Sequence, residues 1–388
     1  MKKQKICIIG GSLTGLMTAL SLSRLNCEID LVTGNFNEKL KSNRSLAISQ
    51  DNYYFLQSLN IFKSANNHFW PCSKIKLYTE INDQKFSETL EFNNYIKEPK
   101  QVFYMIENSK FIKNLMDKIK KIKSISVIKN EMIYEIAKSR SLKSVKFNNF
   151  KSKYNLVIVC AGTNSNLVKN LFPKILLEHS YNETSISTIL THFPTENKTA
   201  RQIFLDNEIL ALLPIADNKT SIVWSVKKNI YQKKNSIIKK KIKTYTKNFY
   251  KKIKFMHDVE YIDLKFLIRS KYYEDRILLF GDALHTVHPF CGQGFNMTLR
   301  DLLSLEEILK EKLNLGLDIG RVDILSEFSK EIKPRNFVHS VGIDFMKSFF
   351  SFKGKSLNKS RYNILKLLNN SHFIKDRFFN IADKGFKF

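Results

Sequence analysis

The N-terminal segment contains a strand, a glycine-rich turn, a helix and a second strand, in that order. Lys5–Ile9 is a short apolar run typical of a buried strand, and Gly10–Gly15 follows it. Leu16–Leu25 has apolar residues at helical spacing, and Glu28–Val32 is a second apolar strand. This order predicts a βαβ unit, in which the backbone N–H groups at the helix start bind the pyrophosphate of a dinucleotide.

Two positions depart from the usual pattern of such a turn. Ser12 stands at the middle glycine of G-x-G-x-x-G, where its side chain narrows the approach of a pyrophosphate but adds a hydroxyl. Thr33 ends the second strand, where an acidic residue usually binds the ribose hydroxyls. Charged hydrogen bonds contribute about 1.5–3 kcal/mol and neutral ones about 0.5–1.5 kcal/mol, so we expect weaker adenosine binding unless Glu38 contributes.

A second glycine-rich segment lies far downstream of the first. Arg276–Phe280 has the character of a buried strand, and a helix is predicted from about Asn296 to Lys312. Between them the chain reads Gly-Asp-Ala-Leu-His-Thr-Val-His-Pro-Phe-Cys-Gly-Gln-Gly-Phe-Asn. A polar, glycine-containing loop between a strand end and a helix start is a typical place for a bound cofactor.

Individual residues of this loop suggest how it would bind a ligand. Asp282 follows the strand and is positioned to accept hydrogen bonds from ribityl or ribose hydroxyls. Gly292 and Gly294 expose backbone N–H groups beside a helix N-terminus, where negative charge is stabilised. His285 and His288 are three residues apart, but no further ligands are recognisable near them, so we predict no metal site.

The segment Gly281–Asn296, followed by Arg300-Asp301, resembles the second flavin motif of the FAD-dependent aromatic-ring hydroxylases, and is most similar to the ubiquinone-biosynthesis hydroxylase branch. The likeness covers roughly residues 5–350. Arg44–Ser49 resembles a stretch in which an arginine lies along the cofactor. The glycine segments and the resemblance together predict nine cofactor-binding residues: Gly10, Ser12, Gly15, Arg44, Asp282, Pro289, Gly292, Gly294 and Asn296.

The resemblance implies an α/β fold of the para-hydroxybenzoate-hydroxylase type: a discontinuous, Rossmann-like FAD-binding domain, a mixed-sheet substrate domain and a helical C-terminal tail. Met105–Asn108 would lead into an amphipathic helix, and Ala200–Ile215 resembles a central strand on the substrate side. The predicted boundaries are 1–80, 100–175 and 265–345 for the FAD domain, 81–99 and 176–264 for the substrate domain, and 346–388 for the tail.

The same resemblance implies a monooxygenase that hydroxylates an aromatic ring with NAD(P)H and O2 through a C4a-hydroperoxyflavin. The implied substrate is an apolar phenol, most specifically a polyprenyl phenol intermediate of ubiquinone biosynthesis. Ala161 stands where the family has an aspartate associated with nicotinamide handling, which puts the electron donor in question. No second dinucleotide-binding turn follows a strand, so NAD(P)H is expected to bind only transiently. The sequence identifies no catalytic residue.

The chain of 388 residues carries a formal charge of +28, which suits a polyanionic partner. Most of the basic residues are lysines, no nucleic-acid recognition motif accompanies them, and we predict no nucleic-acid partner. Lys227–Lys254 is either a surface helix with Ile238 and Ile242 in the core or a membrane-binding helix. Five scattered cysteines and no apolar run long enough to span a bilayer predict a cytoplasmic protein, at most peripheral on the inner face of the cytoplasmic membrane beside other quinone-biosynthesis enzymes.

Two other function classes fit parts of the sequence. One is a different flavin oxidoreductase, such as a prenyl reductase or a halogenase, although the halogenase motif W-x-W-x-I-P is missing and the only tryptophans are Trp70 and Trp224. The other is a flavin-free scaffold at a membrane, which would explain the departures at Ser12, Thr33 and Ala161. Flavin content of the purified protein separates the scaffold from both enzyme classes.

Overall fold

The computed structural model describes residues 3–34, 42–62, 68–82, 85–93, 101–131, 133–206, 208–228, 230 and 234–351. The helices are α1 (Leu13–Leu22), α2 (Gln50–Ser58), α3 (Asn108–Ile119), α4 (Asn166–Leu171), α5 (Asn235–Thr246), α6 (Gln293–Asn314) and α7 (Val322–Ser351). Most of the predicted tail, 352–388, and Glu38 lie outside the described residues.

The strands are β1 (Gln4–Ile9), β2 (Cys27–Thr33), β3 (Ser45–Ser49), β4 (Trp70–Cys72), β5 (Lys74–Asn82), β6 (Lys85–Asn93), β7 (Phe103–Glu107), β8 (Ile125–Lys129), β9 (Ile133–Ser139), β10 (Leu142–Phe147), β11 (Lys151–Tyr154), β12 (Leu156–Val159), β13 (Ile175–Thr191), β14 (Thr199–Leu205), β15 (Glu208–Ala216), β16 (Lys219–Lys227), β17 (Lys254–Phe255), β18 (Glu260–Arg269), β19 (Tyr273–Glu274), β20 (Ile277–Leu279) and β21 (His285–Thr286).

A six-stranded sheet forms the centre of the first layer, in the order β19-β20-β12-β1-β2-β8. All its pairs are parallel except β19 with β20. Its strands are apolar on both faces because α1, α3, α6 and α7 contribute side chains to the same core. The predicted βαβ unit is confirmed, and the helix begins at Leu13 rather than Leu16.

A nine-stranded mixed sheet forms the second layer, in the order β21-β18-β13-β16-β15-β14-β5-β6, with β17 paired to β13. One face is filled by large apolar side chains, among them Trp224 and Leu212, which pack against Ile238 and Ile242 of α5. Both isoleucines are fully buried, so the lysine-rich segment contains a surface helix whose apolar face lies in the core. The α/β class and the mixed sheet predicted from the sequence are confirmed.

Some sequence-based boundaries fall inside strands of the large sheet. The predicted domain boundary at 80/81 divides β5, which pairs with β6 and β14, and the boundary at 264/265 divides β18. Residues 94–99 of the predicted substrate domain lie outside the described residues. The stretch 200–215 was expected to be one strand but forms the antiparallel pair β14 and β15. A polar turn at residue 206 reverses the chain between them.

Helix α7 is joined to α6 by buried polar contacts. Asp301 accepts a hydrogen bond from Asn336 Nδ2 at 2.7 Å and lies 3.4 Å from His285 Nε2. Arg300 lies 3.3 Å from His339 Nε2. Through these contacts Arg300 and Asp301, which follow the second glycine segment, fix α7 against α6. No helix among the described residues has the length and apolar character needed to cross a bilayer.

Replacing Ile242 with alanine should destabilise the large-sheet layer. A fully buried isoleucine leaves a cavity when truncated, and the expected loss in the free energy of unfolding is about 2–5 kcal/mol. Ile237 on the same helix is 43% exposed and makes a matched control, for which we expect a change within about 0.5 kcal/mol. Urea denaturation measures both; equal effects would contradict the assignment of the buried face.

His339 should make stability depend on pH in the acid range. Burial, helped by Arg300 and His285, lowers its pKa from 6.5 to about 3. Below pH 6.5 the unfolded chain binds a proton that the folded protein does not, so this contribution to stability is complete above pH 6.5 and is lost as the pH falls, at about 1.4 kcal/mol per pH unit.

Between pH 7 and pH 5, the wild type should therefore lose about 2 kcal/mol more unfolding free energy than His339→Gln. Denaturant titrations of both proteins at several pH values measure this difference. Parallel pH profiles of the two proteins would contradict a buried, neutral His339.

Candidate active site

The two glycine segments meet at the carboxyl edge of the six-stranded sheet. Gly10 has a φ of +132°, and a Cβ there would lie 2.8 Å from the backbone of Cys160. A Cβ at Gly15 would lie 1.7 Å from the carbonyl oxygen of Gly10. Gly281, with a φ of +64°, would place a Cβ 2.4 Å from Thr14 Cγ2. The first segment is therefore packed backbone to backbone against the end of β12, and the second segment packs closely on the Thr14 side chain in the first turn of α1.

The start of α1 is open to an anionic ligand. Ser12 caps the helix with its backbone, and its side chain makes no capping hydrogen bond. No acidic residue occupies the first turn. The N–H groups there and the helix dipole favour a bound anion such as a pyrophosphate. Thr33 lies beside Gly11, and its buried hydroxyl has no hydrogen-bond partner within the described part of the chain.

Asp282 lies in a short 3-10 turn at residues 281–283, directly after β20. Its side chain is exposed, yet the surrounding protein desolvates the carboxyl and raises its pKa, while His285 and Arg44 act in the opposite direction. Arg44 is thus close enough to Asp282 for its charge to act on the carboxyl. The Arg44 guanidinium is anchored by Glu260, with Nε 3.2 Å from Oε1.

The start of α6 is shaped by Gly292, which caps the helix with a φ of +64°. Pro289 begins the short turn that precedes it. A Cβ at Gly294 would make only ordinary contact with Val287 at 3.6 Å, so this glycine leaves room without being required by packing. As in α1, the first turn has no acidic residue and no side-chain cap, which leaves its N–H groups available.

Asn296 differs from the role predicted for it. Its Nδ2 donates to the carbonyl oxygens of Ala47 and Gly292 at 2.9 and 3.2 Å, and its Oδ1 accepts from Ser49 N and Asn52 Nδ2, both at 3.0 Å. All four hydrogen-bonding positions of the amide are therefore occupied by the protein. Asn296 joins the loop to β3 and α2, and its side chain has nothing left to offer a cofactor.

The two histidines of the second glycine segment, which the sequence does not assign to the cofactor, have partners that the sequence does not indicate. His285 faces Asp301, and His288 Nε2 lies 3.1 Å from Glu183 Oε2. Glu183 also accepts from Lys347 Nζ at 2.6 Å. Glu183, Glu260 and Lys347 lie far along the chain from the glycine segments, in strands and a helix with no motif, so only the tertiary structure brings them to the site.

The face of the large sheet that points away from α5 lies toward the second glycine segment, and the region between the two is here called the chamber. Side chains alternate across a strand, so the residues next to the large ones on β13, β15 and β16 point away from α5, toward the glycine segments. Small and mostly uncharged side chains occupy the centre of that face, and three of them are partly exposed. The floor of the chamber is formed by Ser185, Ser187, Ala211, Leu213, Val223 and Ser225.

Apolar side chains line one end of this floor. Ile189 and Ile215 of the large sheet pack with Met105, and Ala47 and Trp70 border the same cluster. A Cβ at Gly292 would lie 3.1 Å from Ala47 Cβ, so the apolar end directly adjoins the loop at residues 289–294, which the sequence predicts to bind the cofactor and which is called the cofactor loop. None of the six floor side chains can ionise, and the apolar end adds no charge. Glu260 of β18, directly opposite Ser187, is paired with Arg44.

These features fit FAD. Two helix N-termini without acidic residues suit a diphosphate and a negative flavin edge, and three glycine positions leave no space for side chains where backbone must approach closely. Asp282 provides a carboxylate for hydroxyl groups, and the orphaned Thr33 hydroxyl provides one polar atom at the end of β2. The residues present are thus the donors and acceptors that a flavin dinucleotide requires.

Comparisons with known proteins agree with this geometry. Residues 3–334 match a protein family described as FAD binding domain. The chain is 22% identical to the mitochondrial ubiquinone biosynthesis monooxygenase COQ6 of Dictyostelium discoideum, over 97% of this chain and 90% of that protein. It is 21% identical to the ubiquinone hydroxylase UbiL of Rhodospirillum rubrum, over 90% of this chain and 82% of that protein.

Solved structures share the fold. The p-nitrophenol 4-monooxygenase PnpA of Pseudomonas putida superposes with a TM-score of 0.81 at 12% identity, covering 100% of this chain and 99% of that one. An FAD complex of HpxO from Klebsiella pneumoniae gives a TM-score of 0.78 at 13% identity, covering 98% and 99%. The chain therefore belongs to the FAD binding domain family, and the enzyme class predicted from its sequence, an FAD-dependent monooxygenase, is confirmed.

Proposed function

We propose that FAD is held by Gly10, Ser12 and Gly15 at its diphosphate, by Asp282 at its hydroxyl groups, and by the loop at residues 289–294 at its flavin. The convergence of these segments at one sheet edge supports this assignment. Arg44 is close enough for its charge to offset that of Asp282 and of the diphosphate. Asn296 contributes by fixing the loop to β3.

We further propose that the substrate is an uncharged phenol with an apolar substituent, of the kind found among polyprenyl intermediates of ubiquinone biosynthesis. The observation that carries this proposal is the chamber, whose floor has no ionisable side chain and whose apolar end adjoins the cofactor loop. A carboxylate would be desolvated there without a cation from the floor, at a cost of several kcal/mol. The names of the relatives point to the same substrate class.

Bound FAD would supply the redox chemistry that activates O2, with NAD(P)H as the electron donor. The protein's own contribution is to exclude water and to orient the ring. Ile189, Ile215 and Met105 provide an apolar wall, while the floor serines can turn their hydroxyls toward the oxygen substituents of a ring. No ionisable floor residue is available as a base, so the proton of the phenol would leave by way of groups at the chamber's ends.

An apolar substrate of this kind would come from a lipid bilayer, and we propose that the protein reaches it as a peripheral protein on the inner face of the cytoplasmic membrane. The net charge of +28 favours an anionic surface, at about 1 kcal/mol for each lysine close to it. Other quinone-biosynthesis enzymes working on the same lipid-borne intermediates would be natural neighbours there.

Specific contacts argue against a halogenase. Trp70 donates from Nε1 to the carbonyl oxygen of Asn197 at 2.6 Å, and Trp224 is fully buried beside α5. Trp224 is thus part of the scaffold of the large sheet, and Trp70 is part of the small sheet formed by β3, β7 and β4. A prenyl reductase would reduce its substrate without consuming O2. The measurement of O2 consumption in the assay below therefore separates it from a monooxygenase.

The decisive assay uses purified protein with FAD, NADH or NADPH, and two phenols that share a prenyl chain. One phenol is uncharged and the other carries a ring carboxylate. We expect substrate-dependent O2 consumption and a product heavier by one oxygen atom for the uncharged phenol, with a markedly lower kcat/KM for the carboxylate. Mass spectrometry and an oxygen electrode provide the readouts, and preferential turnover of the carboxylate would contradict the assignment of the chamber.

The same conclusion can be tested in cells. Lipid extracts from a strain lacking the gene should accumulate an under-hydroxylated polyprenyl phenol, and its mass would identify the missing oxygen. An unchanged quinone profile would remove the ubiquinone assignment and leave the FAD-dependent monooxygenase class intact.

Gly15→Val should abolish FAD binding. Any Cβ at this position overlaps the carbonyl oxygen of Gly10, so the turn must open and the helix start must move away from the diphosphate. Gly342→Ala in α7 is the matched control, because a Cβ there meets nothing within 4 Å. Flavin absorbance after gel filtration, with circular dichroism to confirm folding, measures the effect. Wild-type flavin content in a folded Gly15→Val protein would contradict the proposed diphosphate site.

A further inference from the structure

Three ionisable residues from three distant segments form a buried cluster at one end of the chamber floor. His288 Nε2 lies 3.1 Å from Glu183 Oε2, and Lys347 Nζ lies 2.6 Å from Glu183 Oε1. The exposed fraction of the side chain is 1% for His288, 13% for Glu183 and 11% for Lys347. Because burying charges is costly, a cluster of this kind must be held by close pairing.

The hydrogen bonds of His288 determine its protonation. Its Nδ1 accepts from the backbone N–H of Phe290 at 3.1 Å, so the ring proton is on Nε2, which donates to Glu183. Burial lowers the pKa of His288 and outweighs Glu183, whose hydrogen bond and charge raise it, so the ring is neutral. Both ring nitrogens are therefore engaged, one within the cofactor loop and the other on the large sheet.

Glu183 reaches this position through an irregularity in β13. The pairing of β13 with β18 shifts register between Ser180 and Glu183, and Asn182 has a φ of +53°. Beyond this bulge the strand continues with Ser185 and Ser187 of the chamber floor. Although burial opposes it, hydrogen bonds from His288 and Lys347 lower the pKa of Glu183, which keeps the carboxylate ionised.

Helix α7 contributes more than its lysine to this end of the chamber. Lys347 Nζ lies 4.9 Å from the centre of the Tyr181 ring, and the Tyr181 hydroxyl donates to Asp344 at 2.7 Å. One turn of helix carries Asp344 and Lys347, and Ile343 beside them packs in a cluster with Phe290. The end of α7 is thus tied to both β13 and the cofactor loop.

We propose that Lys347, Glu183 and His288 are positioning residues that hold the loop at residues 289–294 in its cofactor-binding conformation, so that the end of α7 sets the affinity for FAD and the environment of the flavin. The proposal rests on the proposed function, because that loop is taken to hold the flavin. None of the three residues needs to touch substrate or cofactor. Lys347 on α7 positions Glu183 on β13, Glu183 positions His288, and His288 positions the loop.

The test is FAD binding by apoprotein, followed by flavin fluorescence, together with the visible absorption spectrum at saturating FAD. Lys347→Met leaves a buried carboxylate without its cation, and we expect the FAD Kd to rise about tenfold or more with a shifted flavin spectrum. Lys347→Arg keeps the charge and should retain most of the affinity. A role in fold stability alone would leave the spectrum of the bound flavin unchanged.

A double variant separates coupling from general damage. Glu183→Gln/Lys347→Met removes both charges, and we expect it to bind FAD more tightly than Lys347→Met alone, since no buried charge is left unpaired. The matched control is Lys120→Met, which removes an exposed lysine paired with Asp117 at 3.9 Å and should leave the Kd unchanged. If Lys347→Met does not fold, Glu183→Gln supplies the same comparison with little change in shape.

Wild-type FAD affinity and spectrum in folded Lys347→Met or Glu183→Gln would overturn the proposal, and so would additive losses in the double variant. Failure of the wild type to bind FAD would instead overturn the proposed function, which keeps the two conclusions distinguishable. Weakened binding with a shifted spectrum in the single variants, and recovery in the double variant, would support the coupling.

Discussion

The close packing at Gly10, Gly15 and Gly281, where a Cβ has no room, is the constraint on which the rest of the site depends. A side chain at any of them would meet an atom within 3 Å, so α1, β12 and the second glycine segment can converge only because these side chains are missing. Their convergence places a helix N-terminus and the Asp282 carboxylate at one sheet edge. That packing creates the groups that bind a dinucleotide. The adenosine ribose has fewer partners than usual, because Thr33 stands where an acidic residue usually binds its hydroxyls.

The large sheet serves the site through an unequal division of side-chain size between its faces. Trp224, Leu212 and Ile222 fill the face toward α5, which anchors the sheet in a conventional core. The alternate positions at the chamber floor carry serine, alanine, valine and one leucine, none of which is aromatic or charged. Because a strand alternates its side chains, one run of residues provides both the packing and the chamber.

Features encoded locally could be predicted from the sequence. The two glycine segments, the βαβ unit and the apolar face of α5 each lie within a short stretch of sequence, so the spacing of their residues is enough to predict them. The motif predicts that Asn296 binds the cofactor, but its side-chain amide is used by Ala47 and Ser49, which lie far away in sequence. Helix α6 also begins earlier than expected, at Gln293, because Gly292 in a left-handed conformation caps it.

Long-range partners could not be predicted in this way. Glu183 and His288 are 105 residues apart, and Lys347 is a further lysine in a chain that is rich in them. No periodicity links these positions, and the bulge in β13 that brings Glu183 to the site has no signature in a single sequence. The chamber floor could not be predicted from the sequence for a related reason, since its residues belong to strands that become neighbours only in the folded sheet.

The hydrogen bonds of the Asn296 side-chain amide have a consequence for how tightly a cofactor can be bound. Since the protein itself satisfies every polar atom of that side chain, the first turn of α6 is rigid before any ligand arrives. A preorganised anion site spares the ligand the entropic cost of ordering a loop, and more of the interaction energy then appears as affinity. The apoprotein should therefore resemble the holoprotein in backbone conformation at this helix end, with adjustment confined to solvent and to the ligand itself.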